Sequence, residues 1–446
     1  MTPPREAPLD LGAGAAAPAI PLARVVLLLF VSTAFRLPAT FRYPSFWAED
    51  GTVFFKQSVE IGPAALLRSF DGSYHTVPRL IVLSSSFLPV AWAPALYALG
   101  AGLVSSACLA LFARPGFRWL VPDDRVRVLL CWLFSLVPGT NESFFALCTL
   151  NYAVFCATAF LALERDEAGQ WRMGLGRALL VSFLWFSIGQ GLVLAPPLAC
   201  LFWLTRNRNY LICLGTLGLS VLLNLAAENA RRPDHLAGAA NLALVYLDNL
   251  FVRLAFIPVV GHRWISRVLA MPDSLFLFLS AVLLAGYSYA VARRRALDAE
   301  GARLLTVTVL SAMAVFPLIA LVRSYGLGFL RRPTFHLGGR IALVPSVLAL
   351  LLLWLWLARA ARSGLGRAGA VVLLTWTTVN VLFEPPYQGR GPFQPFASEW
   401  PGQAAIIEKA LQDRKAGRLR EPVVLAEIRC RPRSPVQRIE DLTITP

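Results

Sequence analysis

The chain has 446 residues, of which 57% are hydrophobic and 15% charged, and its mean hydropathy is +0.59. Soluble globular domains carry roughly 25% charged residues, so this composition excludes an ordinary soluble enzyme and points to an all-α, polytopic membrane protein. The net charge of +16 does not indicate a nucleic-acid partner. Arg occurs in short clusters between apolar runs, as the positive-inside rule expects, and no aromatic-basic platform accompanies it.

Lys is scarce, at Lys56, Lys409 and Lys415, so Arg supplies nearly all the positive charge. A guanidinium also suits bidentate phosphate binding. Cys108, Cys131, Cys148, Cys156, Cys200 and Cys213 lie in or beside apolar segments, and Cys430 stands in the tail. Their spacing supports neither a disulfide framework nor a zinc site, which leaves them as small apolar filler.

Residues 1–21 are rich in Ala, Gly and Pro and read as a disordered cytoplasmic tail. Residues 22–37 form the first apolar segment, an uncleaved anchor whose Arg24 and Arg36 can snorkel. A first external loop occupies residues 39–78, and residues 80–88 then form a short apolar helix ended by Pro89. Residues 92–113 read as a full span.

Arg114, Arg118, Arg125 and Arg127 mark an internal loop, from which 128–137 returns outward. Residues 139–151 form a small external loop without Lys or Arg, and 152–163 comes back to Arg165, Arg172 and Arg177. Residues 178–188 and 192–204 are a pair joined by Gly189, Gln190 and Gly191, both short for a span of about 20 apolar residues. Residues 210–226 go out, and an amphipathic stretch at 228–272 is expected on the outer surface. Further apolar runs at 274–291, 304–321, 341–357 and 370–383 bring the expectation to about eleven spans, with the N-terminus inside and the C-terminus outside.

Residues 22–383 thus read as one transmembrane domain and 384–446 as a small extracytoplasmic appendage. The appendage opens on a Pro/Gly-rich linker. Helical periodicity follows at 403–416 and strand-like alternation at 422–428. No repeat is strong enough to indicate the paired halves of a transporter.

Three groups of residues could carry chemistry. Glu49 and Asp50 stand side by side after the first segment, flanked by Phe46, Trp47, Phe54 and Phe55. Adjacent acids on a helix point different ways, so one can take a proton or bind a cation while the other is held elsewhere. Their plain structural reading is a helix N-terminus, where acids favour the dipole. Tyr74, His75 and Arg79 close the same loop. Arg79, at a helix start near the outer surface, would clamp a lipid-linked phosphate, or simply snorkel. A lone His such as His75 is more often a hydrogen-bonding structural residue than a catalytic one. The second loop supplies Asn141 and Glu142, and a late loop supplies Gly338, Gly339 and Arg340 beside Arg323, Arg331 and Arg332.

The order of anchor helix, acidic pair, Pro-led return into the membrane and second span resembles the C-type glycosyltransferase superfamily (GT-C), membrane enzymes that use polyprenyl-phosphate sugars. The match runs over residues 47–113, and beyond that it lies in architecture. Glu49 and Asp50 stand where the family places paired acids. Val77, Pro78, Arg79 and Leu80 stand where it often has Pro-Pro-Leu, and Glu142 stands where a further acid is common. Gly338, Gly339 and Arg340 resemble a Gly-Gly-Arg-Tyr element, with Ile341 in place of the aromatic.

The resemblance implies sugar transfer to a glycan, lipid or protein acceptor at the outer face of the inner membrane. Asp50 would be the base or metal ligand, with Glu49 and Glu142 in support. Tyr74, His75, Arg79, Asn141 and Arg340 would bind substrate. A divalent cation such as Mg or Mn is compatible with this chemistry, although the residues name no ligand set. A transporter or flippase for lipid-linked glycans, and a polysaccharide polymerase, are the alternatives. A transporter would carry ionisable or broken elements at mid-membrane, whereas the acids here lie at loop ends.

Overall fold

A computed structural model of the chain describes residues 20–36, 38–42, 46, 49–70, 73–136, 144–166, 168–188, 191–227, 400–429 and 438–444, with single helical positions at 301, 304, 307, 308 and 375. The described residues are mostly helical. The apolar runs expected at 274–291 and 341–357, and nearly all of 304–321 and 370–383, lie outside them, as does the amphipathic stretch at 228–272.

The first segment is helix α1, Leu22–Arg36, followed by the short α2, Pro38–Arg42. Helix α5, Ala93–Ala110, carries 3-10 turns at both ends, so that Val90–Ala113 forms one helix of 24 residues with mean hydropathy 1.9. At about 1.5 Å per residue it measures ~36 Å, enough for a hydrocarbon core of ~30 Å. Among the described residues it is the one helix long and apolar enough to cross a membrane.

Helix α5 is central because small side chains let its neighbours approach. α1 packs against it, and a Cβ on Gly102 would lie 2.5 Å from the Phe145 ring. Phe30, Phe41 and Phe145 close this contact edge to face, with centroids 5.1 to 6.3 Å apart.

Helix α6, Asp124–Leu136, begins a turn earlier than the apolar run because Asp123 and Asp124 start it. Helix α7, Leu150–Leu163, packs on α5 and is buried on nearly every side. The expected pair is α8, Leu175–Leu184, and α9, Ala195–Thr205, each flanked by a 3-10 turn at the Gly189–Gly191 junction. Both pack on α10, Asn209–Ala227. Buried Trp185 locks the group by donating Nε1–H to the Cys213 carbonyl at 3.1 Å. The outward faces stay apolar: Leu27, Leu179, Leu222 and Trp203 are all more than half exposed. Leucine at such positions gains nothing from water, so lipid suits these faces.

The tail holds helix α11, Trp400–Lys415, and two strands, β1, Val423–Arg429, and β2, Arg438–Ile444. The strands pair antiparallel, Val423 opposite Ile444 and Arg429 opposite Arg438. The expected helix and first strand are therefore present. The hairpin corrects the all-α expectation in this one place.

Candidate functional site

Among the described residues, the stretch between α2 and Thr76 is largely helical. Asp50–Phe55 forms a π-helix preceded by Glu49, and its wider turn is closed by Lys56 N–H donating to the Gly51 carbonyl. One turn of such a helix takes more residues than an α-turn, so Asp50 and Gly51 share a buried face with Phe54 and Phe55. The chain continues through α3, Lys56–Ile61, to Gly62, whose φ of +58° ends the helix. A 3-10 turn, Gly62–Leu67, and a bridge between Phe70 and Ser73 lead to α4, Thr76–Ser85.

Asp50 is only 2% exposed. Its carboxylate accepts the Leu147 N–H at 3.0 Å through Oδ2 and the Cys148 N–H at 2.8 Å through Oδ1. Those amides open the 3-10 turn that starts α7, so the acid sits at a helix N-terminus where the dipole favours negative charge. Burial nevertheless dominates and pushes the Asp50 carboxyl up to about 7. The two amide bonds oppose that rise, and the charge of Glu49 adds to it. Glu49 is half-buried, and its Oε2 meets no hydrogen-bond partner among the described residues. The two acids therefore do face differently, with Asp50 the inward one.

Arg79, the expected phosphate clamp, is only 2% exposed. Its Nε–H donates to the Tyr74 carbonyl at 2.9 Å, and its guanidinium carbon lies 5.3 Å from the Phe54 ring centroid. Both terminal nitrogens are buried and have no partner among the described residues. No ion pair joins it to Asp50 among those residues; Phe54, on the same π-face as the acid, is what the guanidinium covers.

His75 is buried, has φ +50°, and stands immediately before α4. Its Nε2 lies 3.1 Å from the Phe70 carbonyl. A carbonyl only accepts, so that nitrogen carries the proton. The ring also packs on Phe54 and Phe70. This arrangement favours the structural role over direct catalysis. Tyr74 is half-buried and packs on Phe186.

Of the expected site residues, Glu49, Asp50, Tyr74, His75 and Arg79 come together around the π-helix and the start of α4. Asn141, Glu142 and Arg340 lie outside the described residues. Beyond the expected residues, the backbone amides of Leu147 and Cys148 reach the acid. Other participants had no sequence signal: Ser187 Oγ accepts the Val77 N–H at 2.8 Å and so caps α4 from a distant helix. Buried Asn151 Oδ1, Tyr152 Oη and Ser73 Oγ have no partners among the described residues.

No group of three or more His, Cys, Asp or Glu side chains converges among the described residues. The acids present there do not by themselves build a site for Mg or Mn. Comparison with protein-family models finds no match, and comparison with curated proteins finds none either.

Proposed function

We propose that the protein is a multi-pass membrane glycosyltransferase that moves a hexose or pentose from a polyprenyl-phosphate donor to a glycan, lipid or protein acceptor at the extracytoplasmic face. The observation that carries this reading is Asp50: a buried carboxylate held by two amides and pushed up to about 7, on a π-helix whose Phe54 packs against a buried arginine with two open donors. An acid tuned to neutral pH is what a general base requires. The acceptor hydroxyl gives its proton to Asp50 and its oxygen bonds to the anomeric carbon. The bond from that carbon to the polyprenyl phosphate breaks, and the lipid phosphate leaves. Arg79, together with Arg340 from the late loop, meets the negative charge on the leaving group. Glu49 and Glu142 support the acceptor side. In this reading the chain crosses the inner membrane about eleven times, with the N-terminus cytoplasmic and the C-terminus outside.

The same two amide bonds favour a second reading, in which Asp50 only caps α7 from a distance. The test is Asp50→Asn in membranes supplied with a panel of polyprenyl-phosphate hexoses and pentoses. The transferase reading expects transfer to fall by ~100-fold or more with the fold intact. Transfer at the wild-type rate would leave the cap alone standing.

A further inference from the structure

The appendage is not an independent satellite. Trp400, the first residue of α11, sets its ring edge-on against Phe46 (centroids 4.7 Å apart, planes at 79°) and Phe55 (5.5 Å, 80°). Its Nε1–H donates to the Ala91 carbonyl at 3.0 Å. Farther along the helix, Arg414 Nη1 donates to the Val59 carbonyl at 3.3 Å. Strand β2, with Leu442 and Ile444 fully buried, packs on both the π-helix and α3.

These contacts bracket the acid. Phe46 precedes Asp50 and Phe55 is the last residue of its π-helix, so one indole grips the segment on both sides of the carboxylate. A π-helix is rare and less favourable than the α-helix the same residues could form. It persists where surrounding structure holds its extra residue in place. Relaxation to α geometry would rotate Asp50 relative to Phe55 and draw its carboxylate off the Leu147 and Cys148 amides. The tail supplies the hold from the far end of the sequence.

We infer that the C-terminal appendage is a clasp that keeps the Asp50 π-helix in register, with Trp400 as its positioning residue. Its consequence for turnover rests on the transferase reading of Asp50; the clasp itself does not. It is therefore tested first by amide hydrogen exchange on the purified full chain. In Trp400→Ala, exchange at Leu147 and Cys148 and across residues 50–56 rises by ~10-fold, while amides of α6 keep wild-type protection. Arg414→Ala, a milder change on the same helix, raises exchange at the same two amides by ~3-fold. Unchanged exchange at Leu147 and Cys148 in Arg414→Ala overturns the clasp even if Trp400→Ala does not fold. Unchanged exchange in a folded Trp400→Ala overturns it as well. Raised exchange with no transfer in any variant or in wild type keeps the clasp and removes the transferase reading.

Discussion

Arg79 and Arg127 are both buried arginines, and they stand in opposite conditions. Arg127, on α6 beside the Ala113 end of α5, is fully buried. Its Nε donates to the Ala113 carbonyl, its Nη1 to the Val121 and Pro122 carbonyls, and its Nη2 to Asp124 at 2.5 Å. Around it, Glu164 pairs with Arg114 at 3.0 Å and Arg177 at 3.5 Å, and Arg118 pairs with Asp124. Burial works to raise Asp124, but Arg118 and Arg127 outweigh it and hold the carboxyl below its usual range. Arg79 is nearly as buried and uses one nitrogen of three. Helix α7, ~21 Å long, separates Asp50 at its start from Glu164 at its end. A buried charge each of whose nitrogens is answered is structure. One left with open donors costs stability, and such costs concentrate where a ligand or reaction uses them.

The sharpest way to break this contrast is to replace both arginines by Met. Arg127→Met leaves the carbonyls of Val121 and Ala113 unanswered and Asp124 with Arg118 as its remaining arginine partner, and should lower unfolding stability by about 3 kcal/mol or more in a denaturant or thermal assay. Arg79→Met removes a poorly answered cation. It should leave stability within about 1 kcal/mol of wild type, or raise it, while transfer falls ~100-fold. Equal stability losses in the two variants would dissolve the distinction.

A second prediction follows the proton. The Asp50 carboxyl rises from 3.8 to about 7 on folding, so between those values the folded protein holds a proton that the unfolded chain has lost. The stabilisation is fully present below 3.8 and disappears as pH rises through about 7. Asp50→Asn should flatten that part of the stability curve, measured as Tm against pH. At the smaller end, Ser187→Ala should cost about 1 kcal/mol by leaving the Val77 N–H without its acceptor. Arg118→Ala, at an exposed pair, should cost about 0.5 kcal/mol or less.

Much of this was legible in the sequence, and the limits have physical causes. The span expected at 92–113 appears as Val90–Ala113, because an unbroken apolar run of that length has few other stable forms. The helix at 403–416 and the strand at 422–428 were legible for the same reason of periodicity. Glu49 and Asp50 could be recognised as a pair facing two ways. Their partners could not, since every residue but proline carries an N–H and nothing marks those of Leu147 and Cys148. The π-turn was equally silent, because one extra residue per turn leaves no trace in composition. The Tyr74 carbonyl and the Phe54 ring that Arg79 packs against come from folding and leave no local mark in the sequence. The grip of Trp400 on Phe46 and Phe55 joins chain segments too distant for any local pattern to reveal.

On the proposed reading, Asp50 takes the acceptor proton at the start of α7, where Glu49 and Arg79 keep polar atoms without partners among the described residues. The rate of sugar transfer from a polyprenyl-phosphate donor, followed from about pH 5.5 to 8.5, tests it most directly. The rate should climb with pH and level off above an apparent pKa of about 7, a limb that Asp50→Asn abolishes along with most of the activity. A rate in Asp50→Asn equal to wild type, or a limb that survives the substitution, would contradict it.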